Sequence, residues 1–118
     1  MAKIDFTRKI PTFEEGEFIK KPRIDEDSKP EDADLAYICI QAVNSDFDEE
    51  EAKKASEEDK LKRFNLCCKI IACRKGCTLK AEEVAMIKKR CAKAYSPLIY
   101  GRVCEMIDPQ EEEEEEEV

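Results

Sequence analysis

Four of the chain's seven cysteines fall inside the fifteen residues RFNLCCKIIACRKGC, residues 63–77, among basic side chains. Cysteines this close can do two kinds of chemistry: hold a metal ion as thiolates, or cycle through a disulfide. Structural zinc sites are built from C-x2–4-C pairs, joined by histidine or by further cysteines. The four and three residues that separate Cys68, Cys73 and Cys77 fall within that range, but the chain has no histidine, and no metal is expected. Lys and Arg lower a thiol pKa, but Cys73 and Cys77 flank RKG at an expected helix end, where the helix dipole opposes a thiolate. A tuned redox thiol is not expected either. The simpler reading is packing. Cys68 shares a helical stripe with Leu61, Phe64 and Ile71, and Cys91 shares one with Val84 and Ile87, where free cysteine behaves as a small hydrophobe. An odd count without framework spacing points to seven thiols and no disulfide.

The absence of histidine also removes the commonest general base. No spacing singles out a carboxylate or lysine pair, and Gly16, Gly76 and Gly101 stand too far apart for a phosphate-cradling loop. No catalytic residue, cofactor or enzymatic activity is expected.

The elements that carry these residues are mostly helical. In KIDFTRKI, residues 3–10, Ile4, Phe6 and Ile10 alternate with charges as in a half-buried strand. Gly16 offers a turn before a second extended piece, so residues 1–24 are expected to form an N-terminal β-hairpin or extended arm, with Pro11 and Pro22 confining its strands to edges. Residues 25–33 read as a charged linker. DLAYICIQAV, residues 34–43, is the most apolar run. It fits a buried strand or a buried helix, and Pro30 followed by Glu31, Asp32 and Asp34 favours a helix. An acidic connection with mobile parts leads to Ser56, which with Asp59 begins a helix over about 57–74 ended by Gly76. Its inner face is expected to be Leu61, Phe64, Cys68 and Ile71. A further helix presents Val84, Ile87, Cys91 and Ala94. The last starts at Ser96 and Pro97, turns Leu98 or Ile99, Val103 and Ile107 inward, and ends at Pro109. Residues 34–108 thus make a compact cluster of three to four helices.

At 118 residues the chain has the length of one small domain, and its 42% charged residues carry a net charge of -8. No apolar run approaches the length needed to span a bilayer, and MAKIDFTRKIP lacks a signal-peptide core, so no membrane partner and a cytoplasmic location are expected. The charge is unevenly spread. From Lys60 to Arg102 twelve Lys and Arg oppose only Glu82 and Glu83, and Lys62, Arg63, Lys69, Lys88, Lys89 and Arg90 become candidate contacts for a polyanion. Solvated outer helix faces explain the same residues without any partner. Residues 109–118, PQEEEEEEEV, read as a disordered acidic tail that could mask the basic helices, bind a basic partner or merely aid solubility.

EEDKLKRFNLCCKI and TLKAEEVAMIKKRCAKAYSPLIYGRVCEMID resemble a group of small proteins of tailed bacteriophages and prophages. In that group a KIDFT strand and a linker precede helices beginning EEKLKRY, LTAEEIALIKK and AYxPLIVGQ. The likeness runs over roughly residues 3–108 and leaves the acidic tail outside. The chain departs at Lys80, where the group has a capping Thr, and at Cys68, Cys91 and Cys104, where small or apolar residues are commoner. The resemblance implies a phage setting, hence the cytoplasm of a host cell, and transfers no functional residue. By elimination the expectation is a non-catalytic protein-binding module, acting in virion or tail assembly or on a host protein, with Tyr95, Tyr100 and Arg102 as candidate contacts. The alternative is a nucleic-acid-binding regulator using the basic helices at 60–93. The oligomeric state is left open.

Overall fold

A computed structural model of the chain describes residues 3–22, 27, 29–46 and 49–107. It is mostly helical. Four helices of ten residues or more, α1 (Leu35–Asn44), α3 (Glu57–Ala72), α4 (Ala81–Ala94) and α5 (Pro97–Ile107), are joined by a six-residue α2 (Glu49–Lys54) within what reads in the sequence as an acidic connection. The tail at 109–118 and residues 25, 26 and 28 of the linker lie outside the described residues. Among the described residues no helix is long and apolar enough to cross a membrane.

The apolar run at 34–43 is a helix, and it is the hub: α3 and α4 both pack on α1, and α5 packs on α4. Leu35, Ala36, Ile38, Cys39, Ala42 and Val43 are buried, which accounts for the lack of a polar face in the sequence. A buried helix must still satisfy the backbone groups at its ends. Asp34 caps the start by accepting from Tyr37 N at 2.8 Å. The arm supplies the rest, as Leu35 N donates to Arg8 O (2.8 Å) and Ala36 N to Phe6 O (2.9 Å).

The arm itself departs from the expected hairpin. Among the described residues there is no strand, only isolated antiparallel bridges at Ile4–Cys77, Lys9–Asp34, Pro11–Phe18 and Lys20–Asp32. The chain does reverse at Gly16, whose φ of 82° suits glycine. Around that turn Thr12 N donates to Glu17 O (2.9 Å) and Ile19 N to Ile10 O (2.8 Å), but a ladder grows no further because the neighbouring backbone groups are engaged elsewhere. Ile4 N donates to Cys77 O (2.8 Å), Phe6 N to Arg74 O (2.7 Å) and Ala33 N to Ile19 O (2.8 Å), while Pro11 has no N–H to give. The alternation is nonetheless meaningful, since Ile4, Phe6 and Ile10 are all buried in the helical core.

Candidate functional site

α3 is where sequence and structure part most sharply. Ser56 starts the helix as expected, accepting from Asp59 N at 3.0 Å. Its expected inner stripe, however, faces outward. Leu61 is 61% exposed, Phe64 61% and Ile71 51%, and Cys68 is exposed with them. Arg63, Leu66 and Ile70 are buried instead. The physical reason lies at the far end of α1, whose last carbonyls need donors. Arg63 Nε donates to Val43 O (2.7 Å), Nη2 to Ser45 O (2.9 Å) and Nη1 to Asp46 (3.1 Å). From α4, Arg90 donates to Ala42 O at 3.3 Å and also to Ser45 O. Two guanidiniums therefore close the negative end of the α1 dipole. An orphaned buried carbonyl costs about 1–3 kcal/mol, so this clamp fixes which way α3 is rolled.

Two of the six candidate polyanion contacts are consequently internal. Arg63 and Arg90 are buried. Lys69 joins α3 to α4 by a 2.8 Å bond to Glu83, Lys62 pairs with Glu58 at 3.4 Å along α3, Lys88 is half-buried and Lys89 exposed. Hydrogen bonding to Glu83 raises the Lys69 pKa. Burial works against the Glu83 carboxylate, but its bonds from Lys69 and Lys80 N outweigh burial and hold its pKa below the ordinary 4.5. Glu83 also repairs the start of α4: Lys80 has no side-chain acceptor to serve as a cap, and its own N–H donates to Glu83 Oε1 at 2.8 Å. A basic groove of about 390 Å³ remains, lined by Lys54, Arg63, Lys89, Arg90 and Lys93 against Glu50 and Asp59.

The three candidate partner contacts also hold the fold together. Tyr95 donates its hydroxyl to Ile38 O at 3.0 Å, and burial pushes its phenol well above the usual range. Arg102 donates to Thr12 O at 3.1 Å and pairs with Glu105 at 3.3 Å, tying the arm to α5. Tyr100 is half-buried, and its hydrogen bond with Cys104 raises its pKa.

The cysteines divide in the same way. Cys91 is buried as expected, beside Cys39. The Cys39 pKa is driven well up, by hydrogen bonding to Cys91 and then by burial, which leaves an unreactive thiol. Cys68 is not in the core. Among the described residues no three His, Cys, Asp or Glu side chains converge as metal ligands.

The feature that sequence reasoning missed is the outer face of α3: Leu61, Phe64, Cys68 and Ile71 in one strip of exposed, mostly apolar surface. A signal was available. With Leu66, Cys67 and Ile70 also apolar, α3 holds more hydrophobic residues than one inward face can use. Beside the strip, between α3 and α4, runs a groove of about 370 Å³ whose lining includes Leu66 and Met86 and is bordered by Lys62, Lys69, Glu82 and Glu83. Compared with protein-family models, with curated proteins and with solved structures, the chain matches none.

Proposed function

We propose that this chain is a non-catalytic protein-binding module and that the outer face of α3 is its contact surface. One observation carries the proposal: Leu61, Phe64, Cys68 and Ile71 stand exposed along a helix whose opposite side is packed into the core. Contiguous exposed apolar surface marks an interaction site more often than scattered single residues do, and Phe64 is the large side chain at its centre. The setting we propose, virion or tail assembly or capture of a host protein, comes from the phage resemblance alone.

The test is capture from host cells at moderate salt, with and without nuclease, using the wild-type chain and Phe64→Glu. A stoichiometric protein that survives nuclease and is lost with Phe64→Glu is the expected result. A second reading is favoured by the basic groove: a polyanion held by Lys54, Lys89 and Lys93. It requires recovered nucleic acid that disappears on nuclease treatment, falls steeply with salt and ignores Phe64→Glu.

A further inference from the structure

Among the described residues two pairs of thiols meet through hydrogen bonds, and the pairs differ in access. Cys39 and Cys91 face each other between α1 and α4, both wholly buried, so no reagent reaches them in the folded chain. Cys73 and Cys77 face each other across the turn that follows α3. Cys77 is wholly buried, but Cys73 is exposed. We propose that Cys73 and Cys77 are a modification site, a dithiol that a small-molecule disulfide of the glutathione class converts to an intramolecular disulfide. This is independent of the reading of α3 as a contact surface.

The backbone fixes the pair from both sides. Cys73 closes α3 by donating its N–H to Lys69 O at 3.0 Å, and its carbonyl accepts from Gly76 N at 3.0 Å to form the turn. Cys77 is pinned to the arm, donating to Ile4 O (2.9 Å) and accepting from Ile4 N (2.8 Å). Reacting groups held side by side in this way meet as though each were highly concentrated around the other. No tuned thiol is required. Cys73 supplies the access, and exposed Arg74 and Lys75 next to it attract an anionic reagent. Burial raises the Cys77 pKa, which together with its seclusion makes Cys73 the thiol that reacts first. Cys68 is exposed as well, but the neighbouring Cys67 projects about 100° away around the α3 axis.

The chemistry is two exchanges. The Cys73 thiolate attacks one sulfur of the reagent, that S–S bond breaks, one reagent thiolate leaves, and a mixed disulfide remains on Cys73. The Cys77 thiolate then attacks Cys73 Sγ and the second reagent thiolate leaves. Two protein thiols lose two electrons, the reagent gains them, and the two protons end on the released thiols. Excess thiol reverses both steps. The disulfide closes the turn that seats the arm, through Ile4 and through Phe6 N donating to Arg74 O (2.7 Å). A cross-link restricts opening of the segment it spans, so the oxidised chain holds the start of the arm more tightly.

The test is peptide mapping by mass spectrometry. The folded, reduced full chain is incubated with glutathione disulfide at mildly alkaline pH, quenched in acid, alkylated at its remaining thiols and digested with trypsin. Cleavage after Lys69, Arg74, Lys75 and Lys80 leaves Cys73 and Cys77 in separate peptides, IIACR and GCTLK. These are expected to be recovered joined, and to separate again after excess reduced glutathione, while Cys68 carries only glutathione. In Cys77→Ser, Cys73 is expected to keep its glutathione. Cys73→Ser changes an exposed position and spares the buried one, and it is expected to leave Cys77 unmodified. Hydrogen exchange at the amides of Ile4, Phe6 and Cys77 is expected to slow about tenfold on oxidation.

Separate peptides at a dose of reagent that loads Cys68 with glutathione overturn the proposal. So does Cys73 joined to another cysteine in preference to Cys77, or a join that forms only in the urea-unfolded chain. Joined peptides with unchanged amide exchange keep the modification site and overturn its hold on the arm.

Discussion

Arg63 and Phe64 are adjacent in α3, and their environments are the reverse of what their chemistry suggests. The arginine is buried beneath the helix and the phenylalanine is 61% exposed on top of it. Inward lies the polar clamp on the end of α1; outward lies an apolar strip with no partner among the described residues. The difference teaches that roll about a helix axis is decided by what the neighbouring element lacks. α1 can bury almost any apolar side chain, but only donors of the right reach can satisfy its last carbonyls. Arginine, with its fork of N–H groups, can bridge several acceptors at once.

The two regions are expected to respond oppositely to substitution. The largest effect is expected at the clamp. Arg63→Ala removes three hydrogen bonds and should cost about 2–4 kcal/mol in urea unfolding, with Arg63→Lys recovering little of it. Arg90→Ala should cost about 1–3 kcal/mol. Because both guanidiniums reach Ser45 O, the double variant is expected to be non-additive by more than about 0.5 kcal/mol. Strict additivity would show two separate supports instead of one clamp.

The phenol strut comes next. Tyr95→Phe loses the bond to Ile38 O while keeping the ring, and about 0.5–1.5 kcal/mol is expected, read as a lower urea midpoint at unchanged slope. On the outer strip, Leu61→Ser and Phe64→Ser should each change stability by less than about 0.5 kcal/mol. Destabilisation there comparable to Arg63→Ala would mean that the strip is covered in the folded chain, and would collapse the contrast.

The smallest effect concerns the bridge between α3 and α4. The Glu83 pKa is depressed below 4.5 and the Lys69 pKa raised above 10.5. Each shift contributes stability while both groups are charged. The Glu83 contribution is present above pH 4.5 and is lost as pH falls through the depressed folded-state value. The Lys69 contribution is complete below pH 10.5 and is lost as pH rises through the raised one. Since Lys69 is a third exposed, solvent screening limits the pair to about 0.2–1 kcal/mol. Thermal melts of wild type and Glu83→Gln should therefore differ slightly near pH 7 and converge toward pH 3.

Local signals were read well where the chemistry is local. Ser56 before an acidic turn, Pro97 opening the last helix, and the stripe of Val84, Ile87 and Cys91 each carry their information within a few residues, and each element stands where its pattern places it. The burial of Ile4, Phe6 and Ile10 was legible from alternation, although alternation says nothing about which backbone will accept their N–H groups. The candidate contacts fared differently. Tyr95, Arg102, Arg63 and Arg90 are conspicuous as residue types, but their acceptors, Ile38, Thr12, Val43, Ser45 and Ala42, lie between 18 and 90 residues away. No pattern in one sequence marks a carbonyl as short of a donor.

The amino-acid sequence by itself determined that this chain is mostly helical, that 34–43 has no polar face, and where most of its helices begin. Those properties follow from composition, caps and period, which act over one or two turns. Only the tertiary structure decided that the N-terminal arm spreads its backbone bonds over the start of α1, the turn after α3 and residues 31–33 instead of extending its turn at Gly16 into a strand ladder. It also decided that α3 turns Arg63 inward and Phe64 outward. Both outcomes depend on where the backbone groups of α1 and its neighbours are left unsatisfied, and that is settled by the packing of distant segments.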